Sequence, residues 1–215
     1  MQEFIAINEQ RAEFYWWMSS LFATELTQQD LDNYHGGDMD NYYSVLAMTE
    51  ELKAPIAEFR DTLGRLKLRE DAQLELSADF CGLFLSTPKT GALPYASMYI
   101  GTTGLLNDKP AQEMAAWMNQ YGIAQRKDFN EPFDHLAVQL DFMGNLVILA
   151  NKEESEEKQE AMMQEQGRFL ETMLMPWLSQ FQKSVNDFDR FGFYKSAANL
   201  LAAFVALDVA FLKGE

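Results

Sequence analysis

The chain has 215 residues, 47% of them hydrophobic, and its 33 acidic and 17 basic residues give a formal net charge of −16. This charge repels phosphate backbones and anionic lipid, so composition disfavours nucleic-acid and peripheral-membrane binding and favours basic partners. The single cysteine, Cys81, excludes an internal disulfide and any zinc or iron–sulfur site built from several cysteines of one chain.

Helical periodicity predicts the elements of the first half of the chain. Apolar residues recur at three- and four-residue steps in a first helix that ends near Ala23. Thr27 followed by Asp30 is typical of the capped start of a short second helix. Further apolar stripes predict helices over Tyr42 to Leu46, Leu52 to Leu66 and Leu74 to Leu85.

A passage rich in proline and glycine, residues 88–104, then predicts an extended loop. Within it, Ala96 to Ile100 is the best strand candidate of the chain, although it is short. The next helix begins at residue 107 or 108 and ends at Gly122, where glycine can adopt the left-handed backbone conformation. A polar connection follows, and a long amphipathic helix runs from it to about Ala150.

The most apolar segment, Ala197 to Leu212, carries Asn199 and Asp208 and is shorter than the ~20 residues of a bilayer span, so it predicts a buried core helix. The first residues lack the basic region and apolar run of a secretory signal. We therefore expect a cytoplasmic protein.

The predicted fold class is all-α, a helical bundle of two lobes joined by a flexible connection. The expected boundaries are residues 1–122 for the N-terminal lobe, 123–132 for the hinge and 133–215 for the C-terminal lobe. A flexible joint allows one lobe to exchange between two chains. We therefore expect a monomer for which a dimer, ordinary or domain-swapped, is accessible.

The segment Asn130 to Leu136 carries the most chemistry, because it places His135 beside carboxylates at the predicted start of the long helix. Pro132 fits a first helical turn, and Glu131 and Asp134 complement the positive end of the helix. Three interpretations remain open at this point: a pH-sensitive site, a recognition site, or side chains that only satisfy the helix start.

Motifs for catalysis are mostly missing. The sequence has no phosphate-binding P-loop and no Gly-x-Ser-x-Gly nucleophile elbow, and its two histidines are a hundred positions apart. Cys81 lies among apolar residues and is interpreted as a buried structural thiol. These observations favour a protein that is not an enzyme. The alternative is a helical enzyme or metal-binding protein that uses Glu131, Asp134 and His135, with Asp141 as a further candidate.

Two motifs together resemble the TorD/DmsD family of redox-enzyme maturation proteins, which also includes the NarJ-type chaperones. The first motif is Phe80-x-x-Leu83-Phe84 with the later Pro94-Tyr95-x-Ser97-x-Tyr99. The second is Glu131-Pro132-x-Asp134-His135-Leu136. The first helix is similar as well, through Arg11, Tyr15, Ser19, Leu21 and Phe22. Within the family, the chain is most similar to the members that serve trimethylamine N-oxide reductase.

The resemblance implies a cytoplasmic, all-helical chaperone that binds the twin-arginine signal peptide and the immature apoenzyme of a molybdoenzyme. Such a chaperone aids insertion of the molybdenum cofactor before export. It needs no cofactor of its own, and weak guanine nucleotide binding is associated with some members. The implied peptide-binding residues are Phe80, Leu83, Phe84, Pro94, Tyr95, Tyr99, Glu131, Pro132, Asp134 and His135.

A physical hypothesis accompanies this resemblance. A twin-arginine signal peptide has a cationic start and an apolar middle, which match an acidic group and an aromatic groove. We hypothesise that Asp134 accepts charge-assisted hydrogen bonds from a signal arginine. Either Glu131 or Asp134 is expected to orient the His135 imidazole.

Overall fold

The computed structural model describes residues 2–214, which form α-helices and one short π-helical segment and contain no strand. The all-α prediction is confirmed. The helices are α1 Gln2–Ala23, α2 Gln28–Tyr34, α3 Gly37–Leu46, α4 Glu50–Leu66, α5 Ala72–Phe84, α6 Ser97–Ile100, α7 Lys109–Tyr121, α8 Leu136–Ala150, α9 Glu156–Phe169, α10 Met175–Phe188 and α11 Phe193–Lys213, with the π-helical segment Leu170–Leu174 between α9 and α10.

Helix ends follow the capping chemistry of the sequence. Thr27 and Asp30 form a capping box at the start of α2, in which each side chain accepts a hydrogen bond from the other residue's backbone N–H. The Asp108 side chain caps α7, and Gly122 ends that helix with φ of 64°. An L side chain adopts this left-handed conformation only with strain, which explains the glycine.

The chain divides into two compact units. The first unit comprises Met1–Ala23, Pro94–Leu178 and Val209–Glu215, and the second comprises Thr24–Leu93 and Ser179–Asp208. The expected lobes 1–122 and 133–215 are continuous along the chain, whereas these units are interleaved. The difference has a packing cause, because the first helix pairs with α8 and so belongs with residues far beyond it in sequence.

Antiparallel pairing of α1 and α8 forms the centre of the first unit. The Ser19 hydroxyl donates to the Ala137 carbonyl at 2.7 Å near one end of the pair. The Asn8 amide donates to Asn151 Oδ1 at 2.8 Å near the other end. Gly144 lets the two helices approach closely, since a Cβ at this position would lie 2.5 Å from the Trp16 indole nitrogen.

The second unit has its own aromatic core. Phe84 packs against Tyr194 and Phe181, with ring centroids 5.1 and 6.2 Å away. A buried hydrogen bond of 3.1 Å joins the Thr62 and Ser196 hydroxyls on α4 and α11. Burial of several large rings is the main source of stability for such a unit.

Three local features differ from the sequence predictions. Ala96 to Ile100, the strand candidate, contains the helical turn α6 instead. The long helix α8 begins at Leu136, four residues after Pro132, so Pro132 is not in its first turn. The last helix has 21 residues, and by length and composition alone it could cross a membrane, although half of its most apolar stretch is buried within the protein.

Candidate functional site

Two loops of the first unit meet at the site, and we call their meeting point the loop junction: residues 94–100 and 129–136. The Leu136 N–H donates to the Pro94 carbonyl at 2.8 Å, and the Ala96 N–H donates to the Asp134 carbonyl at 3.1 Å. These bonds form an isolated antiparallel bridge between Tyr95 and His135. The structure therefore joins the later part of the first motif to the second motif.

His135 is the N-cap of α8. Its Nδ1 accepts the Ala137 N–H at 3.0 Å, which fixes the neutral imidazole with its proton on Nε2. The ring lies edge-on between Tyr95 and Phe129, with centroids 4.8 and 5.2 Å away. Burial lowers the pKa of His135 to about 3. The interpretation that His135 satisfies the helix start is confirmed, and the expectation that a carboxylate orients its ring is wrong.

Asp134 joins the two segments of the loop junction through buried hydrogen bonds. Its side chain is completely buried, and Oδ2 accepts hydrogen bonds from both the backbone N–H and the hydroxyl of Ser97, the former at 2.7 Å. Its other oxygen, Oδ1, has no hydrogen-bond partner among residues 2–214. In this conformation the carboxylate binds Ser97 of the same chain, and it is not accessible to an arginine from solvent.

Ser97 is a residue whose role the sequence did not reveal. Besides donating to Asp134, its hydroxyl accepts the Asp108 N–H at 3.1 Å, at the start of α7. Ser97 thus fastens three segments of the first unit to one another. The sequence did single out Ser97 as part of the motif Pro94-Tyr95-x-Ser97. The motif alone does not show that the Ser97 hydroxyl donates to an aspartate distant in sequence.

Glu131, Pro132 and Phe133 form the accessible side of the loop junction. Glu131 and Pro132 are half-buried, and 38% of Phe133 is exposed. The Tyr95 hydroxyl donates to Glu131 Oε2 at 2.7 Å, and burial, followed by this bond, raises the pKa of Tyr95. Gln125 donates to the backbone carbonyls of Phe129 and Glu131, which holds the loop in place.

A cavity of about 480 Å³ opens beside Phe133, between the end of α7 and the loop that follows it. Its lining is largely apolar and consists of Ala115, Met118, Asn119, Gly122, Ile123, Ala124, Gln125 and Phe133. None of these residues belongs to the ten that the resemblance implied. The three- and four-residue spacing of Met114, Trp117 and Met118 is typical of an apolar helix face, but periodicity does not show which part of that face other elements leave uncovered.

Tyr99 connects the junction to the core of the first unit. It stacks on Trp177 with ring centroids 5.5 Å apart, and the Trp177 indole donates to Gln139 Oε1 at 3.2 Å and to the Met173 carbonyl at 3.0 Å. Met173 lies in the π-helical segment. Tyr99 remains partly exposed, so one edge of this stack reaches the surface.

The first three of the ten residues that the resemblance implied lie outside the loop junction. Phe80, Leu83 and Phe84 are on α5 in the second unit, and all three side chains are buried. Phe80 and Phe84 pack with Tyr194, whose pKa burial raises well above its usual value. Their burial agrees with a core role, while peptide contact by any of the ten residues stays a prediction.

Cys81 is exposed, so the expectation of a buried thiol is wrong. On α5 the buried stripe runs through Leu76, Phe80, Leu83 and Phe84, and position 81 points away from it. Local desolvation and a hydrogen bond to Glu25 raise the pKa of the thiol. Within residues 2–214 no three His, Cys, Asp or Glu side chains converge in a way that could hold a metal ion.

Comparisons with known proteins agree on one family. A model of the nitrate reductase delta subunit family matches residues 46–183. A chaperone protein TorD from Photobacterium profundum is 64% identical over 215 residues, covering all of both chains. Those from Vibrio atlanticus and Vibrio parahaemolyticus are 53% and 52% identical, again over both full lengths. These relatives are named as chaperones and not as enzymes. The chain therefore belongs to the TorD family of chaperone proteins.

Proposed function

We propose that this protein is a cytoplasmic chaperone for a molybdoenzyme, trimethylamine N-oxide reductase, and that it binds the twin-arginine signal peptide and the immature apoenzyme. It would aid insertion of the molybdenum cofactor into the client before export, and it would hold no cofactor of its own. Guanine nucleotide binding stays a prediction. Full-length similarity to chaperones and a net charge that favours a cationic guest support this proposal.

The observation that carries the proposal is the accessible side of the loop junction, where the half-buried Glu131 lies two residues before Phe133, and Phe133 lines a largely apolar cavity. We place the cationic start of the peptide at Glu131, because Asp134 is already closed off by Ser97. The apolar middle of the peptide would contact Phe133 and enter the cavity of about 480 Å³. A charged rim beside an apolar cleft is the usual arrangement for recognising an amphipathic peptide.

Peptide affinity of a Glu131→Gln variant tests this assignment. The change keeps the shape and removes the charge, so we expect the Kd for a twin-arginine signal peptide to rise about five-fold, the effect of one partly exposed charge-assisted bond. Fluorescence polarisation with a labelled peptide measures this Kd.

The matched control is Glu165→Gln, because Glu165 also accepts a bond from a tyrosine hydroxyl, that of Tyr121. We expect it to change the Kd less than two-fold. Equal affinities of the wild type and Glu131→Gln would refute the role of Glu131. Unchanged affinity in Asp134→Ala and His135→Ala, with folding verified by circular dichroism, would refute the loop junction as the site.

We further propose that the protein is a monomer for which a dimer, ordinary or domain-swapped, is accessible. Its two units interleave along the chain, so exchange of a segment between two copies would create few new contacts. Light scattering across a concentration series should show mass increasing toward that of two chains. A constant monomer mass over the whole series would rule this out.

A further inference from the structure

The second unit contains a cavity whose charge is opposite to that of the protein as a whole. It has a volume of about 410 Å³ and is lined by Arg65, Arg69, Glu75, Ala78, Asp79, Arg190 and Phe191. Three of the 17 basic residues of the chain therefore meet in one cavity of a protein with a net charge of −16. We call it the arginine cavity.

Two of the guanidinium groups converge on one ring. Arg65 lies 4.9 Å and Arg69 4.5 Å from the centroid of Phe191, in the loop between α10 and α11. Cation–π contacts hold both side chains in place, although two like charges that close repel each other. The two guanidinium groups are therefore held beside each other before any guest arrives.

The arginines keep donors available. Arg65 donates to Asp61 and to the Phe191 carbonyl, and Arg69 pairs with Glu75, yet both side chains remain more than 40% exposed. Arg190 is exposed, and within residues 2–214 its guanidinium makes no ion pair or hydrogen bond to a side chain or carbonyl. The planar guanidinium group, with its fork of N–H donors, matches the two oxygens of a carboxylate.

The surroundings favour carboxylates spaced along a peptide over a free phosphate. Glu75 and Asp79 also line the arginine cavity and would repel the concentrated charge of a phosphate dianion. A second cavity of about 250 Å³ shares Ala78, Asp79 and Arg190 with the first, so the two adjoin. Two adjoining cavities leave room for more than one residue of a peptide chain.

Other acids near Arg190 already have internal partners. Asp187 pairs with Lys183 at 2.7 Å, and Asp189 accepts the backbone N–H groups of Gly192 and Lys195, each at 2.8 Å. These carboxylates therefore compete weakly for Arg190. From the cavity and its charges, we infer that the arginine cavity binds an acidic peptide segment of a partner protein, with Arg190 as the principal contact.

This inference goes beyond the proposed function, and an acidic probe tests it separately. The probe is a fluorescein-labelled octapeptide of alternating glutamate and alanine, titrated with the full-length chain in low salt. We expect saturable binding that weakens as salt increases. Arg190→Ala should raise the Kd about five-fold, as expected for one exposed charge pair with good geometry.

The control variant is Arg126→Ala, which removes the same charge from an exposed arginine of the first unit. It should change the Kd less than two-fold. Equal losses in the two variants would show a general charge effect and overturn the assignment, as would the absence of any saturable binding. Competition by inorganic phosphate as effective as that by unlabelled peptide would show an oxyanion site and overturn the peptide assignment.

Discussion

Replacing Asp134 with alanine is expected to lower the free energy of unfolding by about 2–4 kcal/mol, because two buried donors of Ser97 lose a charged acceptor. The Asp134 Oδ1 atom has no partner in residues 2–214, so its removal costs no hydrogen bond. The loss should appear in urea denaturation followed by circular dichroism. A second consequence should be weaker signal-peptide binding, since residues 129–135 would no longer be held against residues 94–97.

Asp134→Asn is the matched control for this prediction. The asparagine carbonyl oxygen can still accept one hydrogen bond from Ser97, so we expect it to cost less than half as much as alanine. A loss below 1 kcal/mol for Asp134→Ala, or equal losses for the two variants, would contradict the view that Asp134 stabilises the junction through Ser97.

The second large effect concerns pH. The pKa of His135 is about 3 in the folded protein, against an ordinary value of 6.5. As the pH falls below 6.5, His135 therefore becomes protonated in the unfolded chain, whereas in the folded protein it stays neutral until the pH approaches 3. The contribution of His135 to stability is complete above that pH and is lost progressively down to about 3, by up to ~1.4 kcal/mol per pH unit.

A His135→Asn variant isolates this contribution. Asparagine caps helices well and does not titrate, so the variant should retain the start of α8 without the pH dependence of the imidazole. We expect the difference in unfolding free energy between wild type and variant to shift in favour of the variant as the pH falls from 6.5. His35→Asn is the control, since His35 is only partly buried and its pKa is lowered less. A constant difference between wild type and His135→Asn across this range would contradict the account.

Much of the fold could be predicted from the sequence because the signals are local. The cap at Thr27, the end of α7 at Gly122 and the apolar stripe of α5 each depend on residues within a few positions. The all-α class follows from the sum of such signals. The pairing of α1 with α8 could not be predicted in this way, because it joins segments more than a hundred residues apart.

The site shows the same limit. The motifs drew attention to Tyr95, Asp134 and His135, and the structure brings all three together. Their roles depend on tertiary partners: Ser97 closes off Asp134, and the Ala137 N–H occupies His135. The start of α8 was expected too early for this reason, because the loop junction draws residues 132–135 out of the helix. The cavity beside Phe133 also arises only from folding.

Site-specific photocrosslinking tests the central claim most directly, that a twin-arginine signal peptide binds at the loop junction. A photoreactive phenylalanine analogue at position 133 should crosslink to the bound peptide. The same analogue at position 68 should not, although Leu68 is an exposed apolar residue of the second unit with 86% exposure. Peptide crosslinking at position 133 alone is the result that this account predicts. If peptide at a saturating concentration crosslinked at position 68 and not at position 133, this result would contradict binding at the loop junction.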